Sequence, residues 1–138
     1  MDDENATYLF QKGDKLSNDW FTGDAFLLPL VEKDKNNEFS AGAVTFEIGA
    51  RTNWHTHPKG QVLIVTEGSG FYQAKGKLVQ AINKGDVVNI PENVEHWHGA
   101  TASTSMAHIA ITNFKEDVQV TWLKPVSEKE FKEVNNKK

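Results

Sequence analysis

Two histidines, His55 and His57, stand one residue apart in GARTNWHTHPKGQVLIVTEG, residues 49 to 68. Imidazoles at that spacing can grip a divalent metal if the segment is extended, because alternate side chains of a strand point to one face. Pro58, Lys59 and Gly60 read as a tight turn, and Gln61 opens a returning apolar run, Val62 to Val65. A hairpin of this kind brings the Gln61 amide back beside the imidazole pair. Two ring nitrogens and an amide oxygen leave one protein ligand to be found, and His96, in PENVEHWHGA, is the candidate. The chain has no cysteine, which excludes thiolate-held zinc, iron–sulfur clusters, disulfides and thiol nucleophiles together. A nitrogen and oxygen donor set suits Mn, Fe, Co, Ni or Zn. All five histidines lie between positions 55 and 108, a clustering that favours a metal centre over scattered structural imidazoles.

Such ligands need rigid strands, and the rest of the chain reads as a supply of them. In Val44-Thr45-Phe46-Glu47-Ile48 apolar and polar residues alternate, so Val44, Phe46 and Ile48 are expected on an inner face. Val44 and Phe46 are core residues by default, and walls of a substrate pocket if the mouth of the fold is open. Ala25 to Val31 is a strand that Pro29 confines to an edge or a bulge. Turns at Gly68-Ser69-Gly70, Lys75-Gly76-Lys77 and Asn83 to Asp86 separate Phe71–Ala74, Leu78–Ile82 and Val87–Ile90. Val94–His98, Met106–Thr112 and Val118–Leu123 follow. Short strands at this spacing argue for an all-β barrel or sandwich. Ser127 followed by Glu130 is a capping box, and Phe131 and Val134 share one face, so a short C-terminal helix is expected. The organisation expected is an N-terminal arm over 1–18, a β-barrel over 19–125, and a helix and tail over 126–138. Within the arm, Tyr8-Leu9-Phe10 could add an edge strand.

Composition narrows the partners. At 138 residues and 38% hydrophobic the chain fits one globular domain. A net charge of −4 without a basic patch argues against nucleic acid. There is no bilayer-spanning run, and MDDENATYLF lacks the basic and apolar regions of a signal peptide, so a cytoplasmic location without membrane contact is expected.

Gly49, His55, His57, Gln61 and Gly68 fill G-x5-H-x-H-x3-[E/Q]-x6-G, and Gly85, Pro91 and His96 match G-x5-P-x-G-x2-H-x3-N. In these two motifs the chain resembles the cupin superfamily. Asn93 stands for the second glycine of the latter motif, a mild change because Asn tolerates a left-handed backbone. Ala100 stands where asparagine is usual. The resemblance implies a small single-domain cupin with a jelly-roll β-barrel. Most metal cupins carry Glu where this chain has Gln61. A neutral ligand set leaves a divalent ion its full charge, which makes it more electrophilic toward anionic oxygen and less tightly held. A plainer reading has Gln61 filling space in a site that holds no metal.

A narrower resemblance covers ARTNWHTHPKGQVLIVTEGSGFYQ, GDVVNIPENVEHWHGAT and the Met-x-His after it. These look like small cupins that include manganese-dependent hydroxynitrile lyases. The resemblance implies one divalent metal, Mn first, held by His55, His57, Gln61 and His96. It implies His108 as the acid/base in cleaving a cyanohydrin to a carbonyl compound and cyanide. Strand parity agrees, since Met106, His108, Ala110 and Thr112 share a face. From its residues alone, His108 equally reads as a satisfied barrel histidine. Gly99 reads as the end of the strand carrying His98, which puts His98 at the surface or behind the ligands. Trp54 and Trp97 alternate with ligands and should point away, as packing or dimer contacts. Other reactions fit the same donor set, namely oxygen-dependent cleavage or sugar-acid isomerisation, and so does a non-catalytic small-ligand-binding module. Cupins of this size commonly dimerise, and the aromatic residues Tyr8, Phe10, Trp20 and Phe21 could build a homodimer contact.

Overall fold

The computed structural model describes residues 8–136. Twelve strands and one helix follow in order: β1 (Asp14–Lys15), β2 (Phe21–Thr22), β3 (Ala25–Val31), β4 (Phe39–Phe46), β5 (Arg51–Thr52), β6 (His55–Thr56), β7 (Gln61–Ala74), β8 (Gln80–Asn83), β9 (Val87–Ile90), β10 (His96–Ala100), β11 (Met106–Asn113), β12 (Thr121–Trp122) and α1 (Glu128–Asn136). All pairings are antiparallel. One face runs β1-β3-β4-β11-β7, with β9 on the far side of β7. The other runs β7-β10-β5-β2, with β8 beside β7 and with β6 between β10 and β12. The curled sheet is the all-β barrel expected from the turn spacing.

β7 joins the faces. Gln61–Ile64 pairs with β9, and Ser69–Tyr72 pairs with β8. The expected turn at Gly68-Ser69-Gly70 is instead a bend within this single 14-residue strand. Gly68 makes the bend possible, at φ 75° with a Cβ position only 2.1 Å from the Ser105 carbonyl oxygen. No side chain fits there. The pairing with β11 shifts register nearby, between Ala107 and His108. Such a bulge increases local twist and lets a strand turn a barrel corner.

Other local expectations have definite outcomes. Pro29 sits at a register shift in β3, as a proline in a strand must. Asn93 adopts φ 61°, the left-handed conformation that the glycine-to-asparagine change requires. Ile48 is not on the inner face: β4 ends at Phe46, a turn follows, and Ile48 is 60% exposed. Tyr8–Phe10 forms no strand, and the edge is taken by β1 pairing with β3. The part of the expected arm before Tyr8 lies outside the described residues.

Two apolar clusters follow. The barrel interior buries Phe46, Leu63, Val65, Ile82, Ile90 and Met106 among others. Behind β10 a second cluster joins Trp54, Phe71 and Trp97 to Val126, Phe131 and Val134 of the C-terminal segment. Both tryptophans therefore turn away from the histidines. The helix starts on the expected capping box: Ser127 N–H donates to Glu130 Oε1 at 2.8 Å, and Glu130 N–H donates to Ser127 Oγ at 3.0 Å. Among the described residues no helix is long and apolar enough to cross a membrane.

Candidate metal centre

β6 and β10 pair with His96 opposite His55, so two imidazoles meet across one ladder. His57, just past β6, follows by alternation. The His55 ring lies 4.9 Å from that of His57 and 4.2 Å from that of His96, centroid to centroid. Gln61 begins β7, which returns beside them after the Pro58–Gly60 turn, as the hairpin reading requires. All four side chains are buried.

The backbone fixes how each ring is protonated. His55 Nδ1 is 2.8 Å from the Asn53 carbonyl, His57 Nδ1 is 2.6 Å from that of Gln119, and His96 Nδ1 is 2.8 Å from that of Val94. A carbonyl only accepts, so in each case Nδ1–H donates and Nε2 keeps its lone pair in the neutral ring. The Gln61 amide is likewise divided: Nε2 donates to Thr112 Oγ1 at 2.8 Å. The nitrogens His57 Nε2 and His96 Nε2 and the oxygen Gln61 Oε1 are buried without a hydrogen-bond partner. His98 Nε2 is orphaned in the same way. Buried acceptors without partners are unfavourable in an isolated protein and suited to a cation, so the residues present fit a divalent metal.

Burial keeps the rings neutral. Desolvation pulls His55 well below the ordinary 6.5, and the neighbouring imidazoles add to it. Desolvation brings His96 to about 4. It also lowers His57, while the Gln119 carbonyl and the nearby Gln61 amide pull back the other way. At neutral pH these nitrogens are free to ligate.

His98 is not at the surface, one of the two places expected of it. β10 continues through Gly99 to Ala100, so His98 is inside the strand and only 4% exposed. It shares the inner face with His96, and His55, His96 and His98 each place a ring nitrogen within 4.8 Å of the others. Those three histidines could hold a metal ion. His57 is outside this trio, which shares only His55 and His96 with the expected set of His55, His57, Gln61 and His96. His98 differs from His55, His57 and His96 in lacking a carbonyl on Nδ1, which instead lies 3.1 Å from His108 Nε2. The alternation of His96 and His98 is present in the sequence, but a glycine after His98 looks locally the same as a strand end.

Above the histidines opens a cavity of about 470 Å³. Val44 and Phe46 line it, as do His108 and Thr112 from β11. Trp20 and Trp122 stack with centroids 5.6 Å apart, and Trp122 also lies 4.8 Å from His55, so an aromatic wall leads to the metal ligands. No Lys or Arg is among the described residues that line the cavity; Glu32 is its one carboxylate. His108 is fully buried and brought to about 4 by desolvation, so at neutral pH it is uncharged and available as a base. The sequence did not single out Trp122 or Gln119, which sit in a weakly patterned stretch after β11.

Comparison with known proteins agrees with this architecture. The cupin domain family matches residues 42–112. An (R)-mandelonitrile lyase from Granulicella tundricola is 43% identical over 114 residues, covering 83% of this chain and 87% of that protein. A cupin-like protein from Thermotoga maritima is 44% identical, with a TM-score of 0.90 over 95% of this chain and 99% of its own. The polyketide cyclase RemF from Streptomyces resistomycificus shares the fold at 16% identity and a TM-score of 0.61, over 78% of this chain and 76% of its own. The chain belongs to the cupin family.

Proposed function

We propose that this cupin is a metal-dependent lyase that cleaves a small cyanohydrin to a carbonyl compound and cyanide. The observation that carries the reading is the set of orphaned acceptors, His57 Nε2, His96 Nε2, His98 Nε2 and Gln61 Oε1, buried near His55 beneath a largely apolar cavity. In this reading His55, His57, Gln61 and His96 hold the metal, Mn first among Fe, Zn, Ni and Co. The shared Nδ1–carbonyl anchoring of the three histidines favours this set over the one containing His98. A bound divalent ion would supply a Lewis acid whose charge the neutral ligands leave uncompensated.

His108 then handles the proton. Its neutral ring takes the proton of the substrate hydroxyl as the bond between the carbinol carbon and the nitrile carbon breaks. The cyanide leaves with the electron pair and is protonated by the imidazolium, so the base is restored. His98, bonded to His108 through Nδ1, holds that ring in place. Val44, Phe46, Trp20 and Trp122 form walls for an aryl or alkyl group, which suits them better than a polyhydroxylated chain. The relative named for mandelonitrile supports an aromatic substrate.

The test is direct. Protein purified without added metal is analysed for its element content and then assayed for release of benzaldehyde from mandelonitrile. One equivalent of Mn with turnover supports the reading. Iron with oxygen uptake would replace it by oxidative cleavage, and absence of metal even after soaking would leave a binding module. The proposal includes a cytoplasmic homodimer built through Tyr8 and Phe10, since Phe21 is buried in the barrel core and Trp20 lines the cavity; a monomeric mass by light scattering would sink that part.

A further inference from the structure

The ligand that sets this site apart is an amide, and an amide has two unlike ends. Oε1 can bind a cation, whereas Nε2 carries two hydrogens and cannot. Rotation by half a turn exchanges them with little change of shape. Gln61 therefore serves as a ligand only if something fixes its orientation. Neutral histidines do not do this by themselves. Their Nε2 lone pairs attract the N–H end of the amide, the wrong end for a metal.

Thr112 supplies what is missing. It lies directly opposite Gln61 in the β7–β11 ladder, and directly opposed side chains in antiparallel strands meet. Its Oγ1 accepts from Gln61 Nε2 at 2.8 Å, both residues are buried, and Oε1 is left facing away from this bond with no partner. We infer that Thr112 is a positioning residue whose hydroxyl holds the Gln61 amide with its oxygen toward the metal. Without that hydroxyl the amide N–H would be buried unpaired, and rotation toward the histidine lone pairs would relieve it. Metal binding would then have to reverse the rotation and leave the N–H unsatisfied. This inference rests on the proposed ligand set. It adds a demand that a carboxylate ligand would not make, because both oxygens of a carboxylate are equivalent.

The experiment uses Mn(II) alone as the probe. Full-length protein is stripped by a chelator and titrated while free Mn(II) is followed by its electron paramagnetic resonance signal. Thr112→Val keeps size and β-branching but has no hydroxyl; it is expected to weaken Mn(II) binding by about tenfold or more. Thr112→Ser restores the hydroxyl and is expected to restore binding. Gln61→Glu combined with Thr112→Val is expected to bind within about twofold of Gln61→Glu alone, because no orientation remains to be set. Wild-type affinity in Thr112→Val would overturn the inference and leave the proposed site standing. A loss from Thr112→Val that is equally large with and without Gln61→Glu would also overturn it, since the role would then be packing. Wild-type protein that takes up no Mn(II) would overturn the ligand set itself, and the role of Thr112 with it.

Discussion

The proposed reading separates ligand histidines from an acid/base histidine, and substitution should tell them apart. His96→Ala removes a ring whose Nδ1 is anchored and whose Nε2 is orphaned, so the bound metal should be lost, as element analysis of the purified variant will show. Retention of a full equivalent would sink the ligand assignment. His108→Ala should keep the metal and lose about 10²- to 10⁴-fold in turnover, the usual contribution of an acid/base group. Unchanged turnover on mandelonitrile would remove His108 from the chemistry. Acid stability follows from the same rings. Burial brings His96 and His108 to about 4, while an unfolded chain titrates near the ordinary 6.5. As pH falls the unfolded chain takes up protons first, so stability is complete above about 6.5 and is lost toward about 4. Near the middle of that window each histidine contributes roughly 1.4 kcal/mol per pH unit. Urea midpoints of the metal-free protein at pH 7, 6 and 5 should fall accordingly, and less steeply in His108→Leu. The ligand candidates were legible in the sequence because spacing and parity encode them. Thr112 was visible only as a member of the right strand face, since its partner comes from cross-strand register, which no single segment specifies.

Among the elements, β10 carries candidate ligands on one face and packs the C-terminal helix on the other. His96 and His98 face inward from β10, and Trp97 between them faces out into the cluster with Phe131. The Arg51 guanidinium lies 4.0 Å from the Phe131 ring centre and reaches Glu128 and the Val126 carbonyl, tying the helix to β5. Phe131→Ala should therefore destabilise the fold by about 3 kcal/mol or more, read by thermal or urea unfolding, while leaving the metal equivalent intact. Metal lost at temperatures where the variant stays folded would show that the helix shapes the site directly. The capping box and its apolar pair made this helix readable in advance, because those signals are local. The long strand β7 was less readable. Gly68 and Gly70 carry turn chemistry, and only the close approach of the Ser105 carbonyl makes Gly68 a bend instead. His98 is a similar case: Gly99 lies within β10, where a Cβ would fall 2.5 Å from the Arg51 backbone, a neighbour that the local sequence does not reveal.

At the scale of the molecule, the charge pattern of the cavity should govern what enters. Apolar and aromatic walls with Glu32 as their one carboxylate offer no counter-ion to an acidic substituent. A mandelonitrile carrying a carboxylate on its ring should show KM at least about tenfold above that of the parent, since one buried unpaired charge outweighs such a difference. Equal KM values would place the ring outside the cavity. The continuity of β7 has a consequence for motion. One end of the strand carries Gln61, and the other pairs with β8 and β10 on the opposite face. Neither face can peel open alone without breaking pairings in the other. The amides of Leu63 and Phe71, on different sheets, should then exchange with deuterium through one shared opening and at similar free energies.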